Sequence, residues 1–118
     1  MEKYSINGVS LLKNKKAIFP MMGEFHFSRC PEPEWEEEIR KMRACGMDII
    51  ATYVLWIHHE EEEGVFDFTG QRNLHYFLEL CEKWQMHVWL RIGPWAHGEA
   101  RNGGFPDWLL KKGYKLRS

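Results

Sequence analysis

Cysteine is scarce in this 118-residue chain, and the little there is does not pair. Its three residues, Cys30, Cys45 and Cys81, form no Cys-x-x-Cys, so neither a zinc ribbon nor a thioredoxin-like redox centre is indicated. Isolated thiols fit a reducing compartment. Charge of one sign is also missing: 16 Lys and Arg face 17 Asp and Glu, a formal net charge of −1. That balance leaves no basic footprint for nucleic acid or an anionic membrane. The longest nearly apolar run, Ile49 to Ile57, is too short to cross a bilayer. Met1-Glu-Lys-Tyr-Ser leads into no apolar stretch of signal-peptide type. No Gly-x-Gly-x-x-Gly or Walker loop follows any apolar run, so nucleotide-binding folds lack their main signature and no cofactor is expected.

What is present reads as globular. Hydrophobic residues make up 44% and charged residues 28%, which excludes general disorder, and the length allows one domain at most. Seven Phe, six Trp and four Tyr are more than such a small core needs. Some of them are therefore expected to line a site.

Asn7-Gly8 and Lys13-Asn14-Lys15-Lys16 are turn signals around short apolar runs, which predicts a small hairpin within residues 1–16. Ala17 to Phe27 reads as a buried strand. A helix is expected next: Pro33 suits its first turn, Glu34, Glu36, Glu37 and Glu38 its N-terminal end, and Gly46 its stop. Its apolar stripe would be Trp35, Ile39, Met42 and Cys45. Asp48 to Trp56 reads as a strand covered on both faces. A polar loop, Glu60 to Thr69, precedes a helix with Leu74, Phe77, Leu78 and Cys81 at helical spacing. His87 to Ile92 is a third strand, and Gly93 to Gly104 a Gly-rich loop. Pro106 to Lys112 closes the chain as a short helix stopped by Gly113.

The order β-α-β-α-β-(α) argues for βαβ units and a parallel sheet. All three strands finish in polar and aromatic residues: Glu24, His26 and Arg29; Tyr53, Trp56, His59 and Glu60; Arg91, Trp95, His97 and Glu99. Convergence of that kind is the habit of a (β/α)8 barrel, whose active site sits at the C-terminal ends of its strands. Rings beside carboxylates suit a sugar, whose apolar face packs on an aromatic while its hydroxyls need charged acceptors. Trp56, Trp95 and Trp108 with Tyr53, Glu60 and Glu99 would supply that mixture, although each Trp is as readily a packing residue. Glycoside hydrolysis needs two carboxylates across the scissile bond, and Glu24, Glu60 and Glu99 are the strand-end candidates. His26, His58, His59 and His97 make a poor metal set, since neighbours on a strand point to opposite faces; no metal is expected. Glu60 to Glu63 reads as a solvated loop and Cys30 as an idle thiol.

Four segments resemble glycoside hydrolase family 35, the β-galactosidases: GEFHFSR (Gly23 to Arg29), TYVLWIHHE (Thr52 to Glu60), GVFDFTG (Gly64 to Gly70) and LRIGPWAHGEARNGGFPDWLL (Leu90 to Leu110). The helix from Trp35 through Lys41-Met42 to Gly46 fits as well, so the resemblance runs from about Asn7 to Ser118. It implies the N-terminal part of a catalytic domain, a (β/α)8 barrel that hydrolyses terminal β-linked galactose with retention through a covalent glycosyl-enzyme. It also implies that Tyr53 meets galactose hydroxyls and that Ala96, His97, Gly98 and Glu99 lie against the sugar, Glu99 as a binding carboxylate. The family's acid/base and nucleophile carboxylates belong to later strands, so no catalytic residue is expected in this chain. Compared with the family's pattern, Ile57 stands where Asn is common, Glu61 for Pro, Trp95 for Tyr, His97 for Cys and Ala100 for Trp. His97 and Ala100 would alter the wall of the sugar pocket.

A barrel of this type takes about 250 residues. Residues 1–118 are accordingly expected to be an incomplete barrel: a short hairpin and about three β/α units, with the rest of the catalytic domain missing. Its partner is expected to be a β-galactoside carbohydrate, and the isolated chain to be inactive. Two other readings are a non-catalytic carbohydrate-binding or interaction protein derived from the family, and a hydrolase of a different β-glycoside.

Overall fold

The computed structural model describes residues 2–116. Three strands, β4 (Met22–Glu24), β5 (Ile49–Tyr53) and β6 (His87–Arg91), form a parallel sheet in the order β4-β5-β6. Helices α1 (Trp35–Ala44) and α3 (Leu74–Lys83) connect them as crossovers. The register sets Gly23, Ile50 and Val88 in one row and Glu24, Ala51 and Trp89 in the next; Tyr53 pairs with Arg91. Because side chains alternate, these rows point to opposite faces. The first faces the helices. Ile50, Phe27, Trp35, Ile39, Phe77, Leu80, Cys81 and Met86 make one buried cluster, with Met42 and Val88 packed against it. Gly23 is required there, since a Cβ would lie 2.7 Å from Met42 Cε. The opposite face leaves Met22 and Trp89 open to solvent.

Helix α1 begins after a 3-10 turn, Glu32–Glu34, and carries Glu36, Glu37 and Glu38 in its first turn and Lys41 and Arg43 in its last. Those signs suit the partial charges at the two helix ends. Gly46, at φ +87°, ends it as expected. Its apolar stripe is shorter than the spacing predicts: Trp35 and Ile39 are buried and Met42 half-buried, but Cys45, past the last helical turn, is exposed. Helix α3 is capped by Asn73, whose Oδ1 accepts from the Tyr76 amide. Trp84 Nε1 and Lys83 Nζ both donate to Glu36, tying the helices together.

Two sequence expectations are corrected at the N-terminal end. The apolar run Ala17 to Phe27 is not one strand. Its start is β3 (Lys16–Ile18), its middle is β4, and a 3-10 turn holds Phe27–Arg29. Pro20 has no N–H for a ladder, and Met21 leaves the first sheet to pair with Asp48, whose Oδ2 accepts from its amide. The predicted hairpin therefore grows into an antiparallel meander of β1 (Tyr4–Ile6), β2 (Leu11–Lys13) and β3. Asn14 and Lys15, both at positive φ, make its second turn. The third correction concerns β5, which ends at Tyr53 rather than Trp56. Residues Trp56–His59 form a short helix, α2. A last helix, α4 (Asp107–Lys111), follows the Gly-rich loop.

Candidate functional site

The C-terminal ends of the three parallel strands bring together residues far apart in sequence. Glu24 ends β4, Tyr53 ends β5 and Arg91 ends β6. The Arg91 guanidinium grips both Glu24 oxygens, with N–O distances of 2.5 Å, and lies 3.9 Å from the centroid of the Tyr53 ring. His26 Nε2 is 3.0 Å from Glu24 Oε2, and its ring meets Tyr53 edge-on at 5.4 Å. Arg91, with help from His26, holds the Glu24 carboxyl below the usual carboxylate range. Glu24 is thus an ionised carboxylate already claimed by two partners.

The loop after β6 completes the cluster. Gly98 is buried against Tyr53: a Cβ there would sit 2.9 Å from Tyr53 Cε2 and 3.7 Å from His26 Cε1. Arg29 Nη2 donates to the Gly98 carbonyl at 2.9 Å, while Nη1 lies 3.8 Å from Glu99 Oε2. Glu99 itself is 90% exposed. It shares a cleft of ≈ 340 Å³ with Arg29, Leu55, His58, Ala100 and Arg101. Of the residues the resemblance assigns to a sugar, the structure packs Gly98 against Tyr53, while the Glu99 side chain lies beside Arg29 in the neighbouring cleft. His97 is exposed one residue earlier, its ring edge-on to Trp95. Ala96 is buried, its amide bonded to the Gly103 carbonyl and its Cβ facing Gly104. It sits inside the loop, away from the open surface that Glu99 occupies.

Other candidates serve the loops instead. Glu60 is buried, which corrects its assignment to a solvated run; Glu61, Glu62 and Glu63 are exposed. Its carboxylate accepts from Trp56 Nε1 and from the Gly64 amide, and its carbonyl from Trp108 Nε1. Trp56 and Trp108 meet edge to face at 5.8 Å, so both rings brace the loops rather than offer an open platform. Trp95 packs beside Phe105 over Gly103, at φ +64°, where a Cβ would lie 1.8 Å from the indole. His58 and His59 lie on a helical turn, so the strand argument against their sharing an ion does not apply. Their rings meet edge-on at 5.7 Å, and His59 is buried, stacked on Phe68 at 4.6 Å, with Nδ1 3.1 Å from the Asp67 carbonyl. Among the described residues no three His, Cys, Asp or Glu side chains converge as a metal would require, and no helix is long and apolar enough to cross a membrane.

Two parts of the site escape a reading of single residues. Arg29 and Arg91 are visible as polar strand-end residues, but their grip on Gly98 and Tyr53 is not. The available signal is register: in a parallel pair, Tyr53 and Arg91 fall opposite each other once both strands are placed. Gln71 gives no local signal at all. Its Oε1 accepts from Glu32 N and its Nε2 donates to the Phe27 and Cys30 carbonyls, fixing the turn that carries Arg29.

A parallel α/β unit with charged and aromatic groups at the carboxyl ends of its strands defines the class: an α/β fold carrying a strand-end site. Residues 10–118 match the glycosyl hydrolases family 35, and the chain belongs to that family. It is 47% identical over 92 residues to an exo-β-D-glucosaminidase of Pyrococcus horikoshii, covering 75% of this chain and 12% of that one. It is 34% identical over 110 residues to a β-galactosidase of Xanthomonas manihotis, covering 93% and 18%. Its fold is similar to the crystal structure of a β-galactosidase from the psychrophilic Marinomonas ef1, with a TM-score of 0.66, 17% identity, and 80% of this chain and 13% of that chain covered. The chain thus spans less than a fifth of the length of each.

Proposed function

We propose that this chain is the first sector of the (β/α)8 catalytic domain of a retaining, exo-acting β-glycosidase, contributing binding groups for the terminal sugar and neither of the bond-breaking acids. The observation that carries the reading is the packing of the Gly98-Glu99 loop on Tyr53 at the carboxyl ends of parallel strands: Gly98 lies against the ring, its carbonyl held by Arg29, and Glu99 stands exposed beside that arginine. Tyr53 offers a phenol and Glu99 an exposed carboxylate, the pair of groups that hydrogen-bond sugar hydroxyls. Two of the three strand-end carboxylates do not suit acid or nucleophile work, and the third, Glu99, is read as the binding group. Glu24 is held by Arg91 and His26, and Glu60 is buried under two donors. The open face of the sheet and the length of the family's members fit a barrel closed by further strands.

Terminal β-linked galactose is the first substrate reading, in keeping with the β-galactosidase relatives. A β-linked glucosamine is the second, favoured by the relatives named exo-β-D-glucosaminidase at 47% and 40% identity. His97 and Ala100 stand where this pocket departs from the commoner family pattern. The test is a titration of the isotopically labelled chain with methyl β-galactoside and with methyl β-glucosaminide, followed by the amide signals of Tyr53, Gly98 and Glu99. Shifts with one glycoside select the substrate; silence with both, from a folded chain, contradicts the reading. The same chain should not hydrolyse an aryl β-galactoside, and turnover would show that its acids are present after all.

A further inference from the structure

Nothing in the proposed chemistry requires a salt bridge across the sheet, yet one spans it from β4 to β6. Glu24 and Arg91 meet over the intervening strand β5, both oxygens engaged by both terminal nitrogens. The fork geometry of a guanidinium on a carboxylate fixes orientation as well as distance. What that orientation controls is Tyr53. The guanidinium packs 3.9 Å from the ring centroid, His26 closes the ring's edge while bonded to Glu24, and Gly98 bears directly on Cε2. Each group touching the ring is thereby set by Glu24 directly or through one partner, except Gly98, whose carbonyl Arg29 holds.

We propose that Glu24 and Arg91 are a positioning pair: they fix the plane of the Tyr53 ring against Gly98 and so set the surface that the phenol and the Glu99 loop offer to the terminal sugar. The inference rests on the proposed sugar-facing role of Tyr53. Neither residue contacts the substrate; both act through Tyr53. Half-exposed as it is, the pair contributes little to stability by itself, and its effect falls on orientation. A Lys at 91 would keep the charge but lose the planar fork and the stacking surface.

The experiment uses the 118-residue chain labelled with 3-fluorotyrosine, whose four signals are assigned by single Tyr→Phe replacements. In the parent chain the Tyr53 signal should stand apart from that of exposed Tyr114. Glu24→Gln and Arg91→Lys should each move or broaden the Tyr53 signal and shift the Gly98 amide, with glycoside affinity falling roughly tenfold. Folded variants whose Tyr53 and Gly98 signals match the parent overturn the proposal. Failure of both variants to fold also overturns it, because the pair would then be structural. The sugar-facing role is judged separately: a parent chain whose Tyr53 signal ignores both methyl glycosides sinks that role, while the ring's response to the two substitutions still decides the clamp.

Discussion

At the scale of residues, some side chains are spoken for by the fold and others are left to face a ligand. Glu60 belongs to the first group. Its buried carboxylate receives two N–H donors that a neutral amide cannot both satisfy. Glu60→Gln should therefore cost about 1.5–3 kcal/mol in urea unfolding. Trp35 is fully buried, with its indole N–H donating to the Phe27 and Cys30 carbonyls. Trp35→Ala should cost about 3–5 kcal/mol. The thiols give an independent check on placement. Burial pushes the Cys81 thiol up to about 12, while Cys45 is exposed. Ellman's reagent at pH 8 should modify Cys45 in the native chain and reach Cys81 only on unfolding; prompt reaction of both would contradict the packing of α3.

At the scale of elements, much of the fold is legible in the sequence. Helix α1 announces itself by apolar spacing, an acidic first turn and the Gly46 stop, and α3 by apolar spacing alone; β5 and β6 by dense β-formers. Boundaries are less legible where tertiary contacts decide them. The run from Ala17 to Phe27 looks uniform, but Pro20 and the pairing of Met21 with Asp48 split it between two sheets. Glu60 looks like its neighbours Glu61 to Glu63, and only the folded loop shows that the nearby Trp56 and the distant Trp108 close over it. Tyr53, Gly98 and Glu99 are legible as strand-end and loop residues; the packing of Gly98 on Tyr53 is not, because it depends on strand register and on Arg29, 69 residues from Gly98. The α2 turn carries its own pH signature. Burial lowers both His58 and His59 below the ordinary imidazole range. The unfolded chain then binds more protons than the folded one below about pH 6.5. Stability should be full above that pH and decline as the pH falls toward 5, and His59→Gln should flatten the decline in a series of thermal melts.

At the scale of the whole molecule, the parallel sheet is finished on its helix side and open on the other. Trp89 is 58% and Met22 46% exposed there, and Ile92, at the end of β6, is 70% exposed. Surfaces of this kind are covered in a complete barrel. Trp89→Gln should change unfolding free energy by no more than about 0.5 kcal/mol while lowering the binding of a hydrophobic dye; a large loss of stability would mean that this face is already packed. The claim on which everything rests is that these strand tips are one part of a pocket whose acids stand on other strands. The most direct measurement is to graft residues 10–116 in place of the matching segment of the Xanthomonas manihotis β-galactosidase and assay an aryl β-galactoside. The account predicts turnover by the graft, and a KM raised about tenfold or more by Glu99→Gln through loss of charge-assisted hydrogen bonds. A folded graft that hydrolyses nothing, or one indifferent to Glu99→Gln, would contradict it.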